Sequence, residues 1–372
     1  DLSKPQVMIE STFGDSHPGS GHLDILVEEV RKGVEEAGGH GARYFCTDIC
    51  DGESQGTDGI NYSLVSREMI ASMIEIHANA TPFDAGVYLA SCDKGLPGNL
   101  MGLARADVPA IVVPGGTMNA GPDMLTLEQL GMYSARYQRG EIDEEKLNWA
   151  KCNACPSCGA CSFIGTASTM QCRAEALGMA LPGSGLVPAT MTDILKYGRR
   201  AGQAVMELAR KGITPVQIMT PAAFKNALVV HSAIGGSTNA TLHLPSIAKE
   251  LGLTLPRSWV DEINHRIPHI ANSDPSGSQL TESFWFAGGV PMVQFLLREY
   301  LDLNVMTVTG RTLGENLEQL EKDHFYERYI GYLHNYGLSR EDVICDPEQT
   351  AETGSVAVLK GNLAPEGAVI KY

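Results

Sequence analysis

Residues 85–106 read AGVYLASCDKGLPGNLMGLARA, a stretch that changes from an apolar run to helical spacing within a few residues. The run Ala85–Ala90 predicts a buried strand, and Gly95–Ala106 predicts a helix with Pro97 in its first turn. The next apolar run, residues 109–113, predicts a second buried strand. Strand, helix and strand in this order are typical of a parallel sheet, in which ligands bind where the strands end.

The same alternation continues on both sides of this stretch. Helices are predicted at residues 22–37 and 63–78, with a short strand at residues 43–49 between them. Residues 119–149 are polar and helical in pattern, and an α/β pattern continues from residue 257 to about 320. Further helices are predicted at residues 167–179, 199–211, 222–230 and 240–251. The prediction is therefore an α/β fold, with a parallel sheet and flanking helices in a first domain at residues 1–350.

The last residues of the chain change character. Residues 355–372 read SVAVLKGNLAPEGAVIKY, two apolar runs separated by Gly361-Asn362 and Pro365-Glu366-Gly367, which are typical turn sequences. We expect two strands here, which form the start of a truncated, β-rich C-terminal domain at residues 351–372. The remainder of that domain is expected to be absent from this chain.

The composition disfavours several classes of protein. The net charge of −16 and the pI near 5.0 disfavour nucleic-acid binding, because such a surface repels phosphate groups. No apolar run approaches the roughly 20 residues needed to cross a bilayer, and residues 1–10 lack a signal-peptide pattern. An odd number of cysteines, nine, argues against a disulfide framework. We therefore expect a cytoplasmic protein that binds neither membranes nor nucleic acids.

The turn between the predicted strand and helix holds three residues with different chemistry. Cys92 offers a thiolate that suits iron or zinc, whereas Asp93 offers a carboxylate that suits Mg²⁺. Lys94 can form a salt bridge there, or it can be carboxylated by CO₂ and become an anionic metal ligand. Adjacent side chains on a turn diverge, so one tripeptide can contact two inorganic centres. Taken alone, the tripeptide is equally compatible with chance.

Two other segments repeat parts of this pattern. Cys50 and Asp51 also follow a predicted strand, and four cysteines recur at even spacing in residues 152–161, CNACPSCGAC. A zinc ribbon needs a second C-x₂-C pair at a distance, and a bacterial ferredoxin run needs proline after its last cysteine, where Ser162 stands here. The ligands of a cluster are therefore expected from separate segments. Buried, unreactive positions suit the remaining cysteines, which are Cys46, Cys172 and Cys345.

Three long stretches resemble the dihydroxy-acid dehydratase / phosphogluconate dehydratase family, and the similarity extends through nearly the whole chain. They are residues 90–118 (ASCDKGLPGNLMGLARADVPAIVVPGGTM), 155–181 (CPSCGACSFIGTASTMQCRAEALGMAL) and 233–243 (AIGGSTNATLH). Four shorter stretches are most similar to the bacterial D-xylonate dehydratase branch of that family. They are CDGESQGT (50–57), ASCDKGLP (90–97), MTVTGRTLGENLE (306–318) and GNLAPEGAVIK (361–371).

The resemblance implies a role for each residue that matches a family motif. Cys92 and Cys161 match iron–sulfur ligands, and Asp51 and Asp93 match Mg²⁺ ligands. Lys94 matches a carboxylated lysine that binds the same metal, so the implied catalytic residues are Lys94 and Asp93. The family also has a C-terminal β-barrel that supplies a further Mg²⁺-binding glutamate and a serine base, and this chain ends before those motifs.

One departure from the family pattern concerns the third cluster ligand. Many members have a cysteine in a P-C-N-x-H-L stretch, but residues 17–23 read HPGSGHL, with Gly19 where that cysteine would stand. Cys50 is the first choice for the third ligand, because it adjoins Asp51 as Cys92 adjoins Asp93. The alternatives are Cys155, Cys158 or no third protein ligand, and the cluster type, [2Fe–2S] or [4Fe–4S], stays open.

The implied activity is that of a hydro-lyase. We expect it to remove water from an aldonate such as D-xylonate and to give a 2-keto-3-deoxy acid. The cluster would act as a Lewis acid and Mg²⁺ would stabilise the enolate. The alternatives are a branched-chain 2,3-dihydroxy-acid dehydratase and a non-catalytic, metal-binding homologue. The resemblance also implies a homodimer or a homotetramer, with a small sugar acid as the binding partner.

Other polar residues admit two interpretations. His22 can face the site, although a histidine at a helix start more often caps or packs. The hydroxyl-bearing residues 166–169 and 237–239 can contact substrate oxygens or can cap helices, and the sequence favours neither interpretation.

Overall fold

A four-stranded parallel sheet organises the computed structural model, which describes residues 2–350 and 353–372. The strand order is β2-β1-β3-β4, with β1 at Gln6–Ser11, β2 at His40–Phe45, β3 at Ala85–Ala90 and β4 at Ala110–Pro114. All three strand pairs are parallel. The predicted class, an α/β protein with a parallel sheet and flanking helices, is confirmed at this level.

Strand β1 lies at the centre of the sheet and was not predicted. It pairs with β2 on one side and with β3 on the other, with Ile9 opposite both Arg43 and Val87. Its sequence, QVMIES, begins with one polar residue and ends with two, so its apolar run is only three residues long. β3 and β4 are buried along their whole length, whereas β2 alternates buried and exposed residues as an edge strand does.

Sixteen α-helices surround or extend from the sheet in the described part of the chain. The first eight are α1 Leu23–Glu36, α2 Asp51–Ser54, α3 Ser63–Ala80, α4 Gly95–Ala106, α5 Leu130–Gln138, α6 Glu144–Asn153, α7 Thr166–Ala176 and α8 Asp193–Lys211. The remaining eight are α9 Pro215–Ile218, α10 Pro221–Ala233, α11 Ala240–Glu250, α12 Ser258–Asn264, α13 Thr281–Phe286, α14 Gly289–Leu296, α15 Leu313–Lys322 and α16 Ile330–Leu333. Short 3₁₀ helices lie at Asp58–Tyr62, Pro122–Met124, Arg298–Tyr300, His334–Tyr336 and Pro347–Gln349.

The predicted helical character of residues 119–149 is confirmed in part, by α5 and the first residues of α6. Pro122 starts a short 3₁₀ turn before them, and Gly140, with a positive φ of 71°, lies between the two helices. The expected α/β pattern between residues 257 and 320 is wrong. Among the described residues of that stretch only helices and isolated bridges occur, because its apolar runs pack as short helices such as α13 and α14.

The predicted strands near the end of the chain are confirmed as a two-stranded antiparallel hairpin. It comprises β5 at Val356–Gly361 and β6 at Ala364–Lys371. The turn lies at Asn362-Leu363, so the second predicted turn, Pro365-Glu366-Gly367, is wrong and falls within β6. The hairpin packs against α12, where the Val356 N–H donates to Asn264 Oδ1 at 3.1 Å.

The predicted domain boundary between residues 350 and 351 stays a prediction. Ala351 and Glu352 lie outside the described residues, as does Asp1, and the hairpin is the whole of the β structure that follows them. Within the described ranges, no helix has both the length and the apolar character that a membrane crossing requires.

Two glycines allow α1 and α8 to pack closely beside the sheet. A Cβ on Gly33 would lie 2.0 Å from the Arg199 carbonyl oxygen, and a Cβ on Gly202 would lie 2.2 Å from the Val30 carbonyl oxygen. Both contacts are with backbone atoms of the facing helix, which cannot rotate away as a side chain can. The position of α1 beside the sheet therefore depends on the absence of these side chains.

Gly33→Ala is expected to destabilise the fold by about 1–3 kcal/mol, because the added methyl group forces the two helices apart. Gly131→Ala is the matched control, since Gly131 also lies in a helix and a Cβ there meets nothing within 4 Å. The control is expected to be neutral or to stabilise by up to about 1 kcal/mol. Urea denaturation measures both, and equal stabilities for the two variants would contradict this account of the α1–α8 contact.

Glu10, in the central strand, is a buried carboxyl group with little compensation. Its side chain is inaccessible, and Oε1 has no hydrogen-bond partner among the described residues. Oε2 lies 3.4 Å from Nδ1 of His77. Burial raises the pKa of Glu10 to about 8. An unfolded glutamate ionises near pH 4.5, so the folded state keeps a proton that the unfolded state loses between these values.

The stability contributed by protonated Glu10 is therefore expected to fall as the pH rises from about 4.5 to about 8, with a slope of up to about 1.4 kcal/mol per pH unit. Glu10→Gln removes this dependence, so its stability relative to the wild type should increase between pH 5.5 and pH 8. Glu318→Gln, at an exposed glutamate, is the control. Parallel pH profiles for the wild type and Glu10→Gln in urea denaturation would contradict the assignment.

Candidate metal centre

The segments that follow the strands converge at one edge of the sheet. Because β1, β2 and β3 are parallel and adjacent, the residues after each strand meet at its carboxyl edge. Cys92, Asp93 and Lys94 follow β3 directly, and Lys94 is the N-cap residue of α4. The predicted position of this tripeptide, between a strand end and a helix, is the observed one.

Cys50 and Asp51 reach the same place by a longer route than predicted. β2 ends at Phe45, so Cys50 does not stand at the strand end, and four residues lie between them. Cys50 is instead the N-cap residue of the short helix α2, and Asp51 is the first residue of that helix. The additional residues allow the chain to turn towards the end of β3.

Cys50 and Cys92 form a pair of interacting thiols. The hydrogen bond between them lowers the pKa of Cys50 to about 6, although burial opposes this shift. The same hydrogen bond, together with burial, raises the pKa of Cys92 well above its ordinary value. A thiolate is the form of cysteine that binds metal ions, so the lowered pKa of Cys50 makes this pair a candidate ligand group.

His17 completes a three-residue group with these cysteines. Its ring nitrogen and the two sulfur atoms, of Cys50 and Cys92, all lie within 4.8 Å of one another. Nε2 of His17 lies 2.9 Å from Oδ1 of Asp48, and these two side chains are 1% and 0% exposed. Burial alone would lower the pKa of His17, but the hydrogen bond and the charge of Asp48 outweigh it and raise that pKa.

Asp51, Asp93 and Lys94 form a second group beside the sulfur atoms. Nζ of Lys94 donates to Oδ2 of Asp51 at 2.5 Å, and Oγ of Ser63 donates to Oδ1 of Asp51 at 2.6 Å. Ser63 is the first residue of α3, directly after the N-cap residue Tyr62, and its hydroxyl group orients Asp51.

Asp93 is oriented by the start of α7. Its carboxylate accepts a hydrogen bond from the Ala167 backbone N–H, in the first turn of that helix. Burial raises the pKa of Asp93 to about 7, the charge of Lys94 opposes this shift, and the charge of Asp51 adds to it. A divalent cation between Asp51 and Asp93 would relieve the repulsion between their carboxylates.

The cysteine loop at residues 152–161 is anchored to both neighbouring loops. The Gly159 N–H donates to the Pro18 carbonyl oxygen at 2.9 Å, and the Met118 N–H donates to the Ala160 carbonyl oxygen at 2.7 Å. Gly159 needs to be glycine, because its φ is 106° and a Cβ would lie 2.4 Å from the Thr117 carbonyl carbon. The loop therefore lies against the residues that precede Gly19.

Cys161 and Cys155 lie within electrostatic reach of the thiol pair. Burial raises the pKa of both thiols, and the charge of Cys50 adds to each shift. Cys161 is partly buried, whereas Cys155 is exposed. Neither is within the 4.8 Å group that His17 forms with the two nearer cysteines. Cys158 has no such interaction with another cysteine among the described residues.

The cysteines that the sequence assigned to buried positions differ in their burial. Cys172 is inaccessible within α7, as predicted, whereas Cys46 and Cys345 are partly buried and pack against the main hydrophobic core. Sγ of Cys345 donates to the Ile270 carbonyl oxygen at 3.3 Å.

A cluster of hydroxyl and amide groups lies beside Asp93. Oγ1 of Thr166, at the start of α7, lies 2.8 Å from Oγ of Ser237 and accepts from Nδ2 of Asn239 at 2.9 Å. The Ser237 N–H donates to Oγ1 of Thr169 at 2.9 Å. These contacts join the start of α7 to the segment before α11, and Asn239 remains exposed at its outer side.

His22 is bound to the backbone of its neighbours. Its Nε2 lies 2.6 Å from the Gly115 carbonyl oxygen, and burial lowers its pKa. This contact supports the packing interpretation of His22, because it joins the start of α1 to the loop after β4.

Sequence reasoning assigned no role to four residues at the site. They are His17, Asp48, Arg67 and His243. Nδ1 of His243 lies 3.0 Å from Nη1 of Arg67, and its Nε2 has no partner in the described ranges. Burial and the charges of Lys94 and Arg67 lower the pKa of His243 to about 3, so its imidazole is neutral. His17 and His243 both lie in stretches quoted in the sequence analysis, 17–23 and 233–243. A lone histidine in a sequence is more often a packing residue than a metal ligand, so neither was assigned a role.

The two groups fit two kinds of inorganic centre. The buried His17 ring has an unpartnered Nδ1 beside two sulfur atoms, a donor set that suits iron or zinc rather than Mg²⁺. Asp51 and Asp93 offer oxygen atoms around the Lys94 amine, which suit Mg²⁺ if the amine is carboxylated or displaced. The donors present in the structure are therefore compatible with both groups that the resemblance implies.

Comparison with known proteins assigns the chain to a family. The family model described as "Dihydroxy-acid/6-phosphogluconate dehydratase N-terminal" matches residues 4–316. A protein named dihydroxy-acid dehydratase from Nitratidesulfovibrio vulgaris is 40% identical over 378 residues, which cover 100% of this chain and 65% of that protein. Proteins of the same name from Caldicellulosiruptor bescii and Moorella thermoacetica are 40% and 41% identical, again with 100% of this chain and 65% of each relative covered. The chain thus spans about 65% of the length of the curated relatives it matches.

Proposed function

Because the chain belongs to the dihydroxy-acid/6-phosphogluconate dehydratase family, we propose that it acts as a hydro-lyase on a 2,3-dihydroxy carboxylic acid. The observation that carries this proposal is the junction at Cys92-Asp93-Lys94. A sulfur group lies on one side of it, and an oxygen group lies on the other. A reaction that removes a proton and a hydroxide from adjacent carbons is assisted by two positive centres, one for the developing enolate and one for the leaving hydroxyl group.

The sulfur group is proposed to hold an iron–sulfur cluster through Cys92, Cys161 and a third ligand, for which Cys50 is the first candidate among the cysteines. Cys50 is supported over Cys155 and Cys158 because its sulfur lies in the same 4.8 Å group as that of Cys92. Cys161 is supported by its loop, which is anchored through Gly159 to the segment of His17. The oxygen group is proposed to hold Mg²⁺ through Asp51, Asp93 and carboxylated Lys94.

When bound, the cluster and Mg²⁺ supply Lewis-acid sites for the leaving hydroxyl group and for the developing enolate. The residues of this chain hold the substrate between those sites. The Ala167 N–H and the hydroxyl group of Ser63 fix the orientations of Asp93 and Asp51. Thr166 and Ser237 present hydroxyl groups next to Asp93, where they can bind the hydroxyl groups of a substrate. Nδ1 of the neutral His243 ring accepts from Nη1 of Arg67, so its unpartnered Nε2 carries the ring proton and can donate a hydrogen bond to a substrate oxygen.

The relatives and the sequence motifs support different substrates. The relatives at 38–41% identity all have the name dihydroxy-acid dehydratase, which supports a dihydroxy acid better than an aldonate. The four stretches quoted for the D-xylonate dehydratase branch favour an aldonate, and so does the polar cluster around Thr166. We propose a dihydroxy acid as the substrate and keep the aldonate as the second candidate. A homodimer or homotetramer is proposed from the family alone, and light scattering tests it.

A substrate panel is expected to separate these candidates. The full-length protein, purified without air, should dehydrate 2,3-dihydroxy-3-methylbutanoate with a larger kcat/KM than D-xylonate, D-gluconate or L-arabinonate. A 2-keto-acid assay measures each rate. A larger kcat/KM for an aldonate would overturn the dihydroxy-acid proposal in favour of the second candidate, and no turnover of any acid would support a non-catalytic homologue.

Cys92→Ala is expected to abolish the visible absorbance of the cluster and to lower turnover by roughly 100-fold or more, the scale seen when one electrostatic stabiliser of a transition state is lost. Cys172→Ala is the matched control, because Cys172 is equally buried but lies inside α7, away from the thiol pair. Iron and sulfide analysis measures the cluster directly. A Cys92→Ala protein that keeps its iron, sulfide and turnover would refute the proposed ligand.

Lys94→Arg is expected to lower Mg²⁺-dependent turnover by roughly 100-fold while the protein stays folded. Arginine keeps the positive charge beside Asp51 but cannot be carboxylated, so this variant separates a salt-bridge role from a ligand role. Lys360→Arg, in the terminal hairpin, is the control. Wild-type turnover in Lys94→Arg would show that the lysine acts only through its charge.

A further inference from the structure

Position 19 lies at the sulfur group although glycine gives it no donor. A Cβ on Gly19 would lie 3.5 Å from the Cβ of Cys92. The backbone is held there from both sides, by the hydroxyl group of Ser91, which donates to the Gly19 carbonyl oxygen, and by Gly159, which donates to that of Pro18. A cysteine at this position would therefore point at Cys92. Position 19 could hold a ligand, but glycine offers none.

The imidazole of His17 occupies the space that a side chain at position 19 would fill. The Cβ built on Gly19 would lie 3.0 Å from Nδ1 of His17 and 3.1 Å from its Cε1. A ring nitrogen of His17 also belongs to the group whose ligand atoms lie within 4.8 Å, with the sulfur atoms of Cys50 and Cys92. The imidazole of His17 thus offers a nitrogen donor in the place where a side chain at position 19 would lie.

Nδ1 of His17 is a buried nitrogen with nothing to bind. The residue is 4% exposed, and Nδ1 has no hydrogen-bond partner in the part of the chain that the structure describes. A buried polar atom left unpaired is unfavourable. Other histidines of the described residues, His22 and His243 among them, also have an unpartnered ring nitrogen, but His17 is the histidine that groups with two cysteine sulfur atoms in this part of the chain.

Asp48 fixes the form of the imidazole that a metal ion requires. Its Oδ1 lies 2.9 Å from Nε2 of His17, and both side chains are inaccessible to solvent. The carboxylate accepts a hydrogen bond from Nε2–H, so the lone pair of the neutral ring is on Nδ1. A carboxylate behind the distal nitrogen is the usual arrangement around metal-bound histidines, where it sets the tautomer and raises the basicity of the ligand.

We propose that His17, through its unpartnered Nδ1, is the third protein ligand of the iron–sulfur cluster beside Cys92 and Cys161, in preference to Cys50 and in the place that a cysteine at position 19 would take. Three protein ligands leave the cluster able to act as the Lewis acid of the proposed function. The inference rests on the proposed function only in that it assumes a cluster at this site. Exchange of a thiolate for a neutral imidazole removes one negative charge from the cluster. It therefore raises the reduction potential, as in clusters where histidines replace cysteines.

Pulsed EPR of the reduced cluster tests the proposal directly. The full-length protein is purified without air and reduced, with histidine at natural abundance or labelled with ¹⁵N. We expect the hyperfine coupling of a directly bonded nitrogen, which changes with the label and is absent from His17→Cys. The His17→Cys cluster should also have a lower reduction potential. His22→Gln is the control, because His22 lies in the same loop but binds a backbone carbonyl group.

Two further variants guard against a failure to fold. In the double variant His17→Ala with Gly19→Cys, the imidazole is removed and a cysteine is restored at the family position, so a cluster without nitrogen coupling should form. Asp48→Asn keeps the size of the side chain but weakens the hold on the imidazole. It should shift the EPR spectrum and the potential of the cluster, which a purely structural role for Asp48 would leave unchanged.

The outcomes separate this inference from the proposed function. A cluster with bonded nitrogen in the wild type and none in His17→Cys supports both. A wild-type cluster without nitrogen coupling, or one with coupling that survives His17→Cys, overturns the histidine ligand and leaves the proposed function intact. Protein that binds zinc in place of iron and sulfide overturns both.

Discussion

Parallel pairing of β1 with β2 and β3 is the constraint on which the rest of the structure depends. Parallel strands all end at the same edge, so the loops that carry His17, Cys50 and Cys92 meet there without any further element to guide them. The close α1–α8 contact and the buried strands hold that edge in place. The remaining donors come from the cysteine loop and the start of α7, which fold back against the same edge and orient Asp93.

The elements predicted best were those whose cues are local. Strand Ala85–Ala90 and helix Gly95–Ala106 were predicted to the residue, because an apolar run, a proline and helical spacing follow one another without ambiguity. The central strand β1 was missed, since its apolar run is only three residues long. The stretch beyond residue 257 was wrong in type, because short apolar runs fit buried strands and buried helices equally well.

The site was predictable in part, and for a different reason. Motif resemblance, rather than periodicity, pointed to Cys50, Asp51 and the tripeptide after β3, and the structure brings these together. His17 and Asp48 could not be found in this way, because their meaning depends on a contact across 31 residues and on the missing side chain of Gly19. The net charge of −16 likewise did not indicate that metal donors are concentrated at the carboxyl edge of the sheet.

The distribution of the donors along the chain has a consequence for how the protein matures. Residue 17 stands near the beginning, and Cys161 stands far beyond it, after the whole sheet and six helices. A ribosome must therefore complete almost half of the chain before the last proposed sulfur ligand exists, and long-range contacts of this kind form slowly. A complete set of donors therefore requires that distant segments of the chain have been brought together. The Gly159–Pro18 hydrogen bond joins the segment of His17 to the cysteine loop, so it is one of the contacts on which that set depends.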